Sequence, residues 1–387
     1  MKDKSGWNKY RHKRKAVEPR DVELLIDSLT NAGDGLGRQD QRVVFVPYTL
    51  PGDRVRIKVT QRKKTYALGS VEEILEPSSD RIEAPCPYFG RCGGCDWQHV
   101  PYSIQLAAKQ EQLLETLSRI GMLKDLPMKD IVPSAREYGY RNRIQGEIRA
   151  GSFHYKWRRS DQRIAIDRCA IAEEPINDFL QNTDLSQTVQ GRVEIAVVDG
   201  EVTVVEVNDR NSTELGFRQV NTEVSNALTA GLLASVEQSQ CTAITDLYCG
   251  RGHWTNHIAE QHPDKQVTGV DSSAENISVA RDQAHERNLG NVRFHQAAVE
   301  KTLGKLDIGN SLCIVDPPRA GLDGSVTDAL IATPCQELLY VSCHPATLAR
   351  DLKQLTEKAY RIESLTPMDM FPQTAHLECV VRLRRNQ

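Results

Sequence analysis

From about residue 216 onward the chain alternates short apolar runs with stretches of helical period. TAITDLY precedes a helix to about 262, QVTGVD precedes a helix over 273–288, and VRFHQA, SLCIVDPP and ELLYVSC follow, the last leading into another helix. Strand and helix in alternation are the pattern of a parallel sheet covered on both faces, so residues 216–387 are predicted to form a doubly wound, Rossmann-like α/β domain. Two late strands ending in CVVRLRR have no helical stretch between them and predict a closing antiparallel pair. In open sheets of this kind ligands bind beyond the carboxyl ends of the strands, which makes the residues at those ends the ones to read for chemistry.

After the first of these strands comes DLYCGRGHW, residues 246–254. Gly250 and Gly252 let the backbone approach a ligand without a side-chain clash. A dinucleotide fingerprint needs a further glycine where Thr255 stands, so close pyrophosphate binding is disfavoured. Asp271 ends the second strand, where a carboxylate can accept both hydroxyl protons of a ribose; the competing reading is a helix N-cap region with Ser272 and Ser273. Together these features suit a nucleoside without a diphosphate, and S-adenosylmethionine is the obvious one. The fourth strand runs into DPPR, 316–319, whose prolines stiffen the turn and keep Asp316 near such a ligand. Arg319 stands where enzymes that methylate exocyclic amines place a stacking ring, which favours methylation of a ring carbon.

The stretch LLYVSCHPATLARDL, 338–352, puts Cys343 where an apolar strand stops and Pro345 opens a helix. An unpaired cysteine is often only a small core residue. Carbon 5 of a pyrimidine, however, becomes nucleophilic only after a thiolate adds to carbon 6, which would give Cys343 a role in covalent catalysis. The proton left on carbon 5 then needs a base, and FPQTAHLECVV, 371–381, offers Glu378 in an apolar strand, unless that residue is a salt-bridged or edge glutamate.

Upstream, residues 1–17 form a basic tail, and 18–77 read as a small β-barrel built from DVELLIDSLT, RVVFVPY, DRVRIKVTQRK and YALGSVEEIL with NAGDGLG and LPGD turns between. Residues 78–215 form a central α+β region with loops around PCPYFGRCGGCDWQH and an amphipathic helix near 102–120. Here Cys86, Cys92 and Cys95 are spaced C-x5-C-x2-C, and Cys169 can complete four thiolates. Zinc is the generic rival, but paired C-x2-C knuckles would suit it better than this uneven three-plus-one pattern, which suits an iron–sulfur cluster. The ten cysteines fit a reducing compartment.

Net charge is −3, which alone does not indicate a nucleic-acid partner. The distribution says more: QRKK (61–64), YRNR (140–143) and YKWRR (155–159) are local basic runs, and Tyr138, Tyr140, Tyr155 and Trp157 interleave rings on which bases can stack, as in RNA binding. Apolar runs fall short of a membrane span and the N-terminus has no signal-peptide core, so a cytoplasmic protein with no membrane partner is expected.

In order along nearly the whole chain, GDGLGRQDQRVVFVPYTLPGDRV, PCPYFGRCGGCDWQH, GFRQVN, DLYCGRG, DPPRAGL, VSCHPATLARDL and DMFPQTAHLE resemble the RNA uridine-5-methyltransferase family. The resemblance implies an N-terminal TRAM barrel, a 4Fe-4S cluster on Cys86, Cys92, Cys95 and Cys169, and a methyltransferase domain. It implies Cys343 as nucleophile, Glu378 as base, and Gln219, Tyr248, Asp271 and Asp316 as contacts of S-adenosylmethionine, beside Gly250, Gly252 and His253 of the glycine turn. His344 and His253 stand where the family usually has asparagine, and Ala298 where relatives carry a polar cofactor contact. The expected reaction is methylation of carbon 5 of a uridine in ribosomal RNA, of the large subunit by preference, by a monomer. Transfer RNA is the alternative substrate, and a non-catalytic RNA-binding iron–sulfur assembly factor is the rival from another class.

Overall fold

The computed structural model describes residues 21–207, 215 and 218–386; the basic tail at 1–17 and Gly216 and Phe217 of GFRQVN lie outside them. The chain divides into two compact units, one up to Arg81 and one from Ile82 onward.

The first unit is a closed barrel of β1 (Asp21–Leu29), β2 (Asp34–Gln39), β3 (Arg42–Pro47), β4 (Arg54–Arg62) and β5 (Tyr66–Glu76), in the order β1-β2-β3-β5-β4. Val22, Leu24 and Ile26 alternate inward along β1 and pack on Val44, Val46, Ile57 and Val59. β2 runs through DGLG, which the sequence marks as part of a turn. Its glycines serve packing instead: a Cβ on Gly35 would lie 2.1 Å from Thr49 Oγ1, and one on Gly37 2.4 Å from Leu24 Cδ1. Only a strand without side chains there can close so narrow a barrel.

The second unit opens with α1 (Tyr102–Gly121), followed by β6 (Arg143–Arg149), β7 (Ser152–Lys156), β8 (Arg163–Ile166), α2 (Glu174–Asn182), β9 (Gly191–Val198) and β10 (Glu201–Glu206). These strands form an antiparallel sheet ordered β10-β9-β6-β7-β8. The rest comprises α3 (Thr222–Glu237), β11 (Ala243–Leu247), α4 (His253–Gln261), β12 (Gln266–Asp271), α5 (Ala274–Glu286), β13 (Val292–Gln296), α6 (Val299–Thr302), β14 (Ser311–Val315), α7 (Gly324–Ala332), β15 (Glu337–Ser342), α8 (Pro345–Lys358), β16 (Tyr360–Met368) and β17 (Glu378–Arg385).

The seven-stranded sheet has the order β13-β12-β11-β14-β15-β17-β16. Its first five strands are parallel, and β17 pairs antiparallel with both β15 and β16, the closing pair that the sequence predicts. Every residue of β14 and β15 is buried, as befits strands covered on both faces. One core layer joins Leu113 and Leu117 of α1 to Leu348, Leu352 and Leu355 of α8, and the other joins Val224 and Leu228 of α3 to Ile258 of α4.

Register sets the site. Leu247 pairs with Val270 and Val315, and Val315 with Tyr340, so β11, β12, β14 and β15 end at one edge. Because β17 runs the other way, with Ser342 opposite Cys379, it brings its first residue, Glu378, to the edge where the parallel strands bring their last. Among the described residues no helix is long and apolar enough to cross a membrane.

Candidate active site and thiol pocket

Cys343 lies between the end of β15 and α8, half-buried, with His344 as the helix N-cap and Pro345 in the first turn. The His344 ring accepts from Thr347 N at 3.3 Å, and the Thr347 hydroxyl donates to Arg319 O at 3.2 Å, which ties the cysteine turn to the DPPR turn. His344 thus caps α8, as an asparagine could. Burial pushes the Cys343 thiol up to about 11; the charges of Glu378 and Asp316 add to this and Arg319 opposes it, so all three surround the sulfur electrostatically.

Glu378 is 2% exposed, and burial, then the proximity of Asp316, raises its carboxyl well above the usual range. Burial and the neighbouring Asp246 raise Asp316 to about 7. Asp246, inside β11, is itself buried and raised to about 7, although the Thr255 hydroxyl donates to its Oδ2 at 2.6 Å; its Oδ1 has no partner among the described residues. A buried carboxylate oxygen left open at a strand end marks a place for a donor. In the sequence Asp246 carries a single signal for this place, an acid inside an apolar strand just before a glycine turn.

The glycine turn has the expected backbone. Tyr248, Gly250 and Gly252 have φ of 67°, 54° and 76°, and a Cβ on Gly252 would come 2.8 Å from Ala280 Cβ. Asp271 accepts from Gly250 N at 3.0 Å and Ser273 N at 2.8 Å, so it fastens the turn to β12 while Ser273, not Asp271, caps α5. The Tyr248 hydroxyl donates to Glu300 at 3.4 Å. His253 opens α4, with Nε2 3.3 Å from Thr229 Oγ1 and its ring 4.7 Å from that of His257; burial and then His257 lower its pKa to about 4, so it is neutral at pH 7. The Gln219 carbonyl accepts from Asn142 at 3.0 Å, and Ala298 precedes α6.

Cys86, Cys92, Cys95 and Cys169 line one pocket together with Tyr88, Phe89, Arg141 and Tyr155. Gly93 N donates to Lys156 O at 3.0 Å, and a Cβ there would crowd the Arg158 backbone at 3.1 Å, which accounts for glycine in the CGGC loop. The Arg141 backbone is bolted to the Cys169 loop, its N–H donating to Ile171 O at 2.8 Å, while its buried Nε has no partner among the described residues. Burial pushes the thiols of Cys92, Cys95 and Cys169 up, Cys92 to about 11, and Arg141 partly offsets this at Cys95 and Cys169. Among the described residues no three His, Cys, Asp or Glu side chains are arranged to hold a single metal ion.

Residues 192–386 match the tRNA (Uracil-5-)-methyltransferase family, and residues 19–71 match the TRAM domain. The chain belongs to this methyltransferase family. Over 94% of its length this family member is 31% identical to 95% of an uncharacterized RNA methyltransferase of Bdellovibrio bacteriovorus. Over 95% of its length it is 30% identical to 96% of another from Nostoc sp.. Its fold is that of the Pyrococcus abyssi tRNA (uracil-54, C5)-methyltransferase solved with S-adenosyl-L-homocysteine, with a TM-score of 0.70, 23% identity, and coverage of 93% of this chain and 99% of that one. The protein is an RNA methyltransferase, and the N-terminal barrel is a TRAM domain.

Proposed function

We propose that this enzyme methylates carbon 5 of one uridine in ribosomal RNA, through a covalent adduct with Cys343 and proton removal by Glu378. The observation that carries the reading is the register of β15 with β17, which sets Glu378 at the strand edge where Cys343 emerges. The thiolate of Cys343 forms a bond to carbon 6, the electrons of the 5,6 double bond move onto the carbonyl oxygen at carbon 4, and carbon 5 becomes the nucleophile. S-adenosylmethionine, when bound, supplies the methyl group at that point. The turn at Gly250 and Gly252, the Asp271 carboxylate and the open Oδ1 of Asp246 fit its nucleoside. Glu378 then takes the proton from carbon 5, the ring double bond re-forms, and the sulfur leaves with its electron pair. Burial raises the hold of the Glu378 carboxyl on a proton, so once ionised it is a stronger base for that step.

Four thiols around one pocket, with the Arg141 guanidinium beside them, also support a resident 4Fe-4S cluster on Cys86, Cys92, Cys95 and Cys169. Buried thiolates need positive charge close by, which such a centre and Arg141 would supply. Methyl transfer moves no net electrons, so these residues hold structure and not a redox step. All ten cysteines are free, in keeping with a cytoplasmic enzyme.

The ribosomal substrate rests on the form VSCHPATLARDL around the nucleophile. Transfer RNA is the second reading, favoured by the description of the matched family. Mapping 5-methyluridine in total RNA from cells with and without the gene decides between them. For the chemistry, Glu378→Gln is expected to accumulate a protein–RNA adduct that survives denaturing electrophoresis and contains the transferred methyl, while Cys343→Ala forms none. Normal turnover by Glu378→Gln, or methylation by Cys343→Ala, overturns the mechanism.

A further inference from the structure

The segment between β16 and β17, residues 369–377, delivers Glu378, and its shape is not set by its own sequence. Gln373, at its centre, has φ of 67°, a left-handed conformation that a non-glycine residue adopts only where its surroundings hold it. The holding groups come from residues 96–140, far earlier in the chain. Gln373 O accepts from Asp96 N at 2.8 Å and from Trp97 N at 3.0 Å. The Gln373 amide and side chain exchange hydrogen bonds with the Gln105 side chain, both at 3.0 Å. The Tyr140 hydroxyl donates to Pro372 O at 3.0 Å, and the wholly buried Lys109 reaches Asp369 at 2.6 Å and Phe371 O at 3.1 Å.

A further contact is made by a charged side chain that follows directly on a thiol of the pocket. Asp96, next to Cys95, accepts from Ala375 N at 3.2 Å through Oδ2, while Oδ1 faces Arg158 Nη1 at 3.0 Å. Ala375 lies three residues before Glu378. The loop carrying Cys92 and Cys95 is therefore clamped on one side to the β7 end at Lys156 and on the other to the base-bearing segment.

We infer that Asp96 is a positioning residue for proton removal: it fixes the 371–377 turn and through it the carboxylate of Glu378, so that the thiol loop serves as the seat of the base. This rests on the proposed roles of Cys343 and Glu378. Losing the contact should spare the steps made by Cys343 alone and slow the step made by Glu378. A residue that merely supported the fold would slow both together.

The test uses the full chain with total RNA from cells lacking the enzyme, and the same RNA prepared with 5-fluorouridine, from which carbon 5 cannot lose a proton. Asp96→Ala is expected to form the fluorouridine adduct at close to the unmutated rate. On ordinary RNA its turnover should fall by about tenfold or more, a part of the roughly 10²–10⁴-fold that a positioned base contributes, with methylated adduct accumulating on denaturing gels. Asp96→Asn, which keeps an acceptor for Ala375 N and the shape of the loop, should restore most of the turnover and clear the adduct. Turnover unchanged in Asp96→Ala overturns the inference, as does a loss of turnover matched by an equal loss of fluorouridine adduct in either variant. Glu378→Gln is run beside them. If it accumulates no adduct the base assignment itself fails; if it does and Asp96→Ala does not, only the role of Asp96 falls.

Discussion

Cys343 rests as a thiol. With its proton held up to about 11 by burial and by Glu378, roughly one molecule in ten thousand carries the thiolate at neutral pH, and Arg319 is the charge that keeps the fraction from falling further. Since the thiolate is the reactive form, raising the pH must raise reactivity. Alkylation of the Cys343 peptide by iodoacetamide, followed by mass spectrometry, is expected to quicken about tenfold per pH unit from 7 to 10 and to level near 11. Arg319→Met should move that profile to higher pH. A thiol free of both influences would level near the ordinary value of about 8.5 instead. The turn around Cys343 was readable because its signals are local: an apolar strand, a thiol, then proline at a helix start. Asp246 and Asp96 were not readable as site residues. What distinguishes them is an oxygen without a donor in one case and a contact 279 residues away in the other, and neither leaves a mark on neighbouring sequence.

At the scale of elements, strands with strong apolar runs were legible and glycine-bearing or weakly patterned segments were not. β2 reads as a turn because glycine is the usual punctuation of turns, whereas here barrel closure requires it. α3 and α7, rich in small and apolar residues on several faces, carry little helical periodicity in their sequence. The CGGC loop is the opposite case, a short irregular segment whose spacing sets Cys86, Cys92 and Cys95 together in the sequence, and Cys169 lines the same pocket in the fold. The proposed cluster predicts that this loop depends on its four thiols. Cys92→Ser is expected to reduce iron from about four atoms per chain to less than one in anaerobically purified protein, measured by colorimetric iron assay, and to bleach its brown colour. It should also loosen the hairpin end that Gly93 holds at Lys156, visible as faster hydrogen exchange there. A colourless, fully active protein with one zinc per chain would refute the cluster.

At the scale of the whole molecule, the two units each bury their own core, and the smaller does so with few residues. Ile57 is fully buried in the barrel, so Ile57→Ala should cost about 2–5 kcal/mol. Calorimetry should show this loss in one of two transitions, with S-adenosylmethionine affinity unchanged; a single transition shifted as a whole would mean that the units melt as one. The doubly wound class was legible from alternation, but the position of the final strands was not, because periodicity fixes which face of a strand is buried and says nothing of which neighbour it takes. β17 follows β16 along the chain yet lies between β15 and β16 in the sheet. As the polypeptide leaves the ribosome, Cys343 is made first, but β15 has no partner on that side until the residues from 378 onward have arrived and slotted in. Given the proposed chemistry, a folded enzyme with the nucleophile and no base would seize RNA and never release it. In this sheet order the strand leading to the nucleophile gains its last neighbour from the strand that carries the base, so the two groups enter the folded edge together.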